Sequence, residues 1–214
     1  MFAPPNSKAN LTDYAIGLHA SSLVADGGTL KIGIGSLGDA IGQALIVRDP
    51  NNVEYHRILE SLCPDGLLAR ELGRFELGLY GCSEMFANGF LKLIEAGIIR
   101  REVFADVVLQ QLLNQGRITD ATVTPQTLRA LLDAGRVRSP VGAEDLAFLQ
   151  HFGVLRADVV LEGEDLAIDN YRCSANLHDE RAFDAVCENL LGKRLLGGII
   201  MTGGFFWGPR DFYE

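Results

Sequence analysis

The sequence lacks any apolar run approaching the roughly 20 residues that a membrane helix requires, so no helical membrane anchor is expected. It also lacks clusters of Lys and Arg. With 19 basic against 28 acidic residues, a formal net charge of −9 and a pI near 4.9, a broad nucleic-acid surface is excluded, although one local cationic pocket stays compatible with the totals. Cysteines are few: Cys63, Cys82, Cys173 and Cys187 stand apart, with no CxxC pair and no His nearby. Neither a zinc site nor a disulfide framework follows from that spacing, no metal is expected, and a reduced cytoplasmic setting fits. The opening Met1-Phe2-Ala3-Pro4-Pro5-Asn6 has no basic stretch leading into an apolar core, and so does not read as a secretion signal. What the sequence does have is apolar content. At 48% hydrophobic residues and a mean hydropathy of +0.14, its 214 residues suit one large domain or two small ones around a substantial core.

Ile16, His19, Ala20 and Leu23 fall at helical spacing within Thr12 to Ala25, with Thr12 or Asp13 as cap. Thr29 to Ile34 reads as a buried strand, Gly35-Ser36-Leu37-Gly38-Asp39 as a loop, and Ala40 to Val47 as a helix. A helix from Glu54 to Leu62 follows. Phe75 to Tyr80 alternates like a second strand, Gly81-Cys82-Ser83 reads as a turn, and Met85 to Ala96 as a helix. Gly97, Gly116 and Gly135 then close similar Leu-rich segments at intervals of 19, with Gly153 following at 18. Glycine suits the left-handed position just past a helix end, so these segments read as successive short helices, with a solenoid as the alternative. Val159 to Ile168 predicts a hairpin turning near Gly163, Arg181 to Leu191 a helix, and Leu196 to Met201 a buried strand. Strands alternating with helices give an α/β class. The expected division is an amino-terminal α/β part over 1–97, a helical insertion over 98–155, and a hairpin, helix and strand over 156–214.

The sharpest local pattern is Gly33-Ile34-Gly35-Ser36-Leu37-Gly38, because closely spaced glycines let backbone N–H groups approach an anion at a helix start. A tight turn with no ligand fits the same pattern. A dinucleotide site predicts an acidic residue ending a second strand about 20 residues on; Glu54 lies near that distance, but it follows a turn with no strand-like run before it. The loop, together with Asp26-Gly27-Gly28-Thr29, the Gly81-Cys82-Ser83-Glu84-Met85-Phe86 block with Asn88-Gly89, and Gly203-Gly204-Phe205-Phe206-Trp207-Gly208-Pro209-Arg210, resembles the acetyl-CoA hydrolase/transferase family. The resemblance runs from Phe2 to Tyr213. Gly38 stands where commoner members have Pro, and Gly81 to Gly89 departs from their His-Thr-Glu-Met-Phe-Ser-Asp-Gly string, which suggests a divergent subfamily.

The resemblance implies a CoA-transferase-like sheet with flanking helices, and a chemistry in which a glutamate carboxylate attacks an acyl-CoA thioester. An acyl-enzyme anhydride and then an enzyme–CoA thioester follow; a carboxylate acceptor completes transfer and water completes hydrolysis. Coenzyme A is then substrate, with no permanently bound cofactor. The family's glutamate comes from a second half, so the aromatic end after Phe205 reads as a stop inside a longer protein, whose own C-terminal half would be the partner beside a possible homodimer. Gly33, Gly35, Ser36 and Gly38 are the expected oxyanion-binding positions. Glu84 is the one candidate catalytic side chain, either projecting near a strand end or standing in the first turn of a helix capped by Ser83, where the helix dipole favours an acid. Cys82 and Cys173 are expected to be buried apolar residues, His19 a hydrogen-bonded core residue, and Arg210 either a contact to a CoA phosphate or a surface residue. The alternative function is a stand-alone acyl-CoA or nucleotide-binding module; a third is a structural domain with a plugged loop.

Overall fold

A computed structural model describes residues 8–63 and 70–207. Among them, residues up to Glu102 and from Ile199 form one compact unit, and Val103–Gly198 a second. The whole is mixed α/β, with a small parallel sheet and flanking helices in the first unit. No described helix is long and apolar enough to cross a membrane.

The first unit opens with α1 (Leu11–Ser21), whose N-cap is Asn10 rather than Thr12 or Asp13; Asn10 and Asp13 exchange hydrogen bonds in a capping box. Strand β1 spans only Thr29–Leu30, and α2 (Ser36–Arg48) starts four residues earlier than Ala40. Helix α3 (Asn52–Leu62) leads to β2 (Tyr80–Ala87) and α4 (Asn88–Glu95), and the unit ends with β6 (Met201–Trp207). The sheet order is β1-β2-β6, all parallel, with Leu30 opposite Gly81 and Gly81 opposite Met201. Leu30, Leu45, Leu79, Phe90, Leu93 and Ile99 form its core, against which Ile41 and Met201 pack. The helices therefore cover the Leu30 and Met201 side of the sheet. Gly17 lets α1 press on α2, since a Cβ there would lie 2.8 Å from the Ala40 carbonyl.

The Gly81-Cys82-Ser83 segment, which reads as a turn in the sequence, is part of a strand. Gly81, Cys82 and Ser83 pair with Met201, Thr202 and Gly203 inside the sheet. Glycine serves close approach here: a Cβ on Gly81 would sit 3.0 Å from the Met201 side chain.

The second unit contains α5 (Val107–Asn114), α6 (Pro125–Asp133) and α7 (Ala143–His151), followed by β3 (Val160–Glu162), β4 (Asp165–Ile168), β5 (Tyr171–Ser174) and α8 (Glu180–Asn189). The three strands form an antiparallel sheet. Leu109, Leu128, Leu131, Leu149, Leu166, Phe183 and Val186 share one core. Helices α5 to α7 and the hairpin thus belong to a single packed body.

Candidate functional site

The loop after β1 builds its geometry from glycine. Gly35 is the N-cap of α2 with φ 111° and ψ 176°, a left-handed conformation that other residues adopt only under strain. Gly38, one turn into the helix, presses on the loop; any Cβ there would collide with the Gly33 carbonyl oxygen. Around Gly33 and Gly35 themselves the space is open, and both are exposed. The first helical bond runs from the Asp39 N–H to the Gly35 carbonyl at 3.0 Å. The N–H groups of Ser36, Leu37 and Gly38 have no side-chain cap. They form a ready donor set for an oxyanion, reinforced by the helix dipole.

Helix α4 also starts without a side-chain cap, close by: the Cβ position of Gly89 is 3.7 Å from an Asp39 carboxylate oxygen and 3.7 Å from Ile32. Asp39 supplies negative charge at that second helix start. The start of α2 stays open. Ile34 and Leu37, 40% and 41% exposed, give the loop apolar flanks.

Glu84 lies inside β2, between the pairs Ser83↔Gly203 and Met85↔Phe205, so it neither follows a turn nor sits in a helix capped by Ser83. It is exposed, and its side chain makes no hydrogen bond or ion pair among the described residues. Glu84 and Gly33 are each three residues past the Leu30↔Gly81 pair on parallel strands, which puts them toward the same end of the sheet.

Cys82 is exposed rather than buried, because it occupies the side of β2 away from the core. Cys173 is half-buried, and burial, with Asp165 adding, pushes its thiol up. In Cys187 burial does the same, up to about 11. Neither is an activated nucleophile. His19 is half-buried, with Nδ1 3.2 Å from Arg70 Nη1, in keeping with a hydrogen-bonded role. Arg210 lies outside the described residues, and no group of metal-ligating side chains occurs among those described.

Arg48 and Arg101 gained no notice in the sequence, and Asp26 only as part of a glycine block, because most of their partners are distant in the chain. Asp26 accepts backbone N–H bonds from Gly27, Glu76, Leu77 and Gly78 at 2.9–3.0 Å. Arg48, 1% exposed, donates to the carbonyls of Ser21, Val24 and Gly73 and stacks 4.3 Å over Phe75. Arg101 lies against Tyr80 and Thr29. Two surface cavities of about 330 and 380 Å³ lie in the second unit, around Phe104 to Gln111 and around Arg156 and Asp169, and neither includes the glycine loop. Compared with known proteins, the chain matches no family model, and no curated protein or solved structure resembles it significantly.

Proposed function

We propose that the chain supplies the thioester-binding loop of an acyl-CoA hydrolase or CoA transferase with a CoA-transferase-like fold. One observation carries this reading: the open, uncapped start of α2 behind Gly35, whose conformation keeps the backbone donors clear of side chains. In this reading the thioester carbonyl oxygen faces the N–H groups of Ser36, Leu37 and Gly38. A glutamate carboxylate attacks the carbonyl carbon, the C–S bond breaks, and CoA leaves as thiolate with the acyl group held as a glutamyl anhydride. The thiolate then attacks the glutamyl carbonyl and releases the acyl group as a carboxylate, which leaves an enzyme–CoA thioester. Another carboxylate or water completes the cycle. Fixed donors stabilise the oxyanion in each attack without reorganising.

Gly35→Val tests the assignment, because valine is strained at φ 111° and its side chain would stand in the open approach. Acetyl-CoA turnover by the full-length protein is expected to fall by about 10²-fold or more, the effect of losing one oxyanion donor. A folded variant with full turnover removes the loop from the reacting thioester. CoA binding by calorimetry with no turnover in the unsubstituted protein supports instead a non-catalytic acyl-CoA-binding module.

A further inference from the structure

The sheet of the first unit has two unlike sides. Leu30, Gly81 and Met201 face the core, whereas Thr29, Tyr80, Cys82 and Thr202 alternate with them and point the other way. Thr29, Cys82 and Thr202 are exposed. On that open side Arg101 extends over β1 and β2: its Nη2 donates to Thr29 Oγ1 at 3.3 Å, and its guanidinium carbon is 5.9 Å from the centre of the Tyr80 ring. The Tyr80 and Thr202 hydroxyls hydrogen-bond to each other across the strands.

The arginine is incompletely satisfied. Its Nε is sealed from solvent with no hydrogen-bond partner, and Nη1 forms no bond among the described residues. Among the described residues no carboxylate forms an ion pair with it; burial pushes the guanidinium down from its ordinary value, opposed by the neighbouring Tyr80 phenol. Its neighbour Arg100 differs, since that guanidinium donates to the carbonyls of Phe75, Glu76 and Gly97. A half-buried cation with no anion beside it among the described residues is unusual, because charges withdrawn from water are ordinarily paired.

We propose that Arg101, with the hydroxyls of Tyr80, Thr202 and Thr29, binds a ligand carboxylate on the open side of the sheet. Two hydroxyls bonded to each other hold two protons and use one, so the Tyr80 and Thr202 pair keeps a proton to donate outward. A carboxylate set between that proton and the guanidinium gives Arg101 acceptors that the described residues do not supply. One guanidinium matches one carboxylate in charge and in its planar fork. A phosphate dianion would leave excess negative charge on a molecule already at −9. Thr29 and Tyr80 begin their strands, whereas the glycine loop follows the end of β1, so this site is separate from the loop and does not depend on its assignment.

The test uses the whole chain, acetate as probe and chloride at matched ionic strength as control. The Arg101 Nε–H resonance is followed by NMR, and affinity by calorimetry. Saturable acetate binding that shifts this resonance is expected, weakened at least tenfold in Arg101→Gln and several-fold in Tyr80→Phe and Thr202→Val. If Arg101→Gln does not fold, as judged by circular dichroism, the two hydroxyl variants decide. Absence of saturable binding, or binding equally tight in the hydroxyl variants and in any folded Arg101→Gln, overturns the site. Tighter binding of inorganic phosphate than of acetate overturns the choice of carboxylate.

Discussion

Asp26 shows how one residue redirects a stretch of backbone. Its carboxylate collects four N–H donors, and although burial resists ionisation, the bonds from Leu77, Gly78, Glu76 and Gly27 together hold it below the ordinary carboxylate range. A carboxyl whose pKa is depressed on folding stabilises the native state above its unfolded pKa, and that contribution is lost as pH falls through the folded value. Asp26→Asn is therefore expected to cost about 1–3 kcal/mol near neutral pH, measured by urea unfolding. The gap between the two proteins should narrow as pH drops below the ordinary carboxylate range. A gap independent of pH would mean that the ionised carboxylate is not what stabilises the Gly27 to Gly78 contact. The same residue explains a missed element. Phe75 to Tyr80 alternates like a strand, yet the N–H of Phe75 goes to Asp49 and those of Glu76, Leu77 and Gly78 go to Asp26, leaving none for a sheet ladder until Leu79.

Among the elements, helices were more legible than strands. A helix satisfies its backbone locally, and its ends leave marks in the sequence, whereas a strand is defined by a neighbour that no local pattern names. The glycines at 97, 116, 135 and 153 all have φ of 66–69°. Each also carries the paired bonds of a Schellman ending, such as Gly135 N–H to Leu132 and Arg136 N–H to Leu131, at 2.9 and 3.0 Å. Strands β2 and β6 lie further along the chain than Phe75 to Tyr80 and Leu196 to Met201, because their glycines serve contact between strands rather than turning. Hairpin β3–β4 turns at Gly163 as its spacing predicts, while β5, with only four residues, left no clear pattern. A Cβ at Gly135 meets nothing within 4 Å, so Gly135→Ala isolates the cost of the left-handed conformation. A loss of about 1–2 kcal/mol is expected by urea unfolding; an unchanged midpoint would show that the helix end relaxes to another conformation.

For the molecule as a whole, the α/β character was legible because strand and helix periods alternate along it, and the glycine loop because its pattern lies within six consecutive residues, Gly33 to Gly38. The Arg101 cluster was not, since Thr29, Tyr80, Arg101 and Thr202 meet only once the parallel strands are registered. The location of a nucleophile is likewise a question for the assembled protein. Backbone donors stabilise an oxyanion but attack nothing, so thioester cleavage through an acyl-enzyme needs a carboxylate in contact with the carbonyl carbon. Glu84 shares an end of the sheet with the loop, but it is exposed on β2, and among the described residues no neighbour is bonded to its side chain to fix its orientation. Incubation of the chain with acetyl-CoA followed by hydroxylamine, which converts an activated glutamyl group to a stable hydroxamate, is therefore expected to leave Glu84 unmodified by peptide mass spectrometry, with no turnover. A hydroxamate at Glu84 that disappears in Glu84→Gln would place the nucleophile on β2 and bring both the attacking group and the oxyanion donors within this one chain.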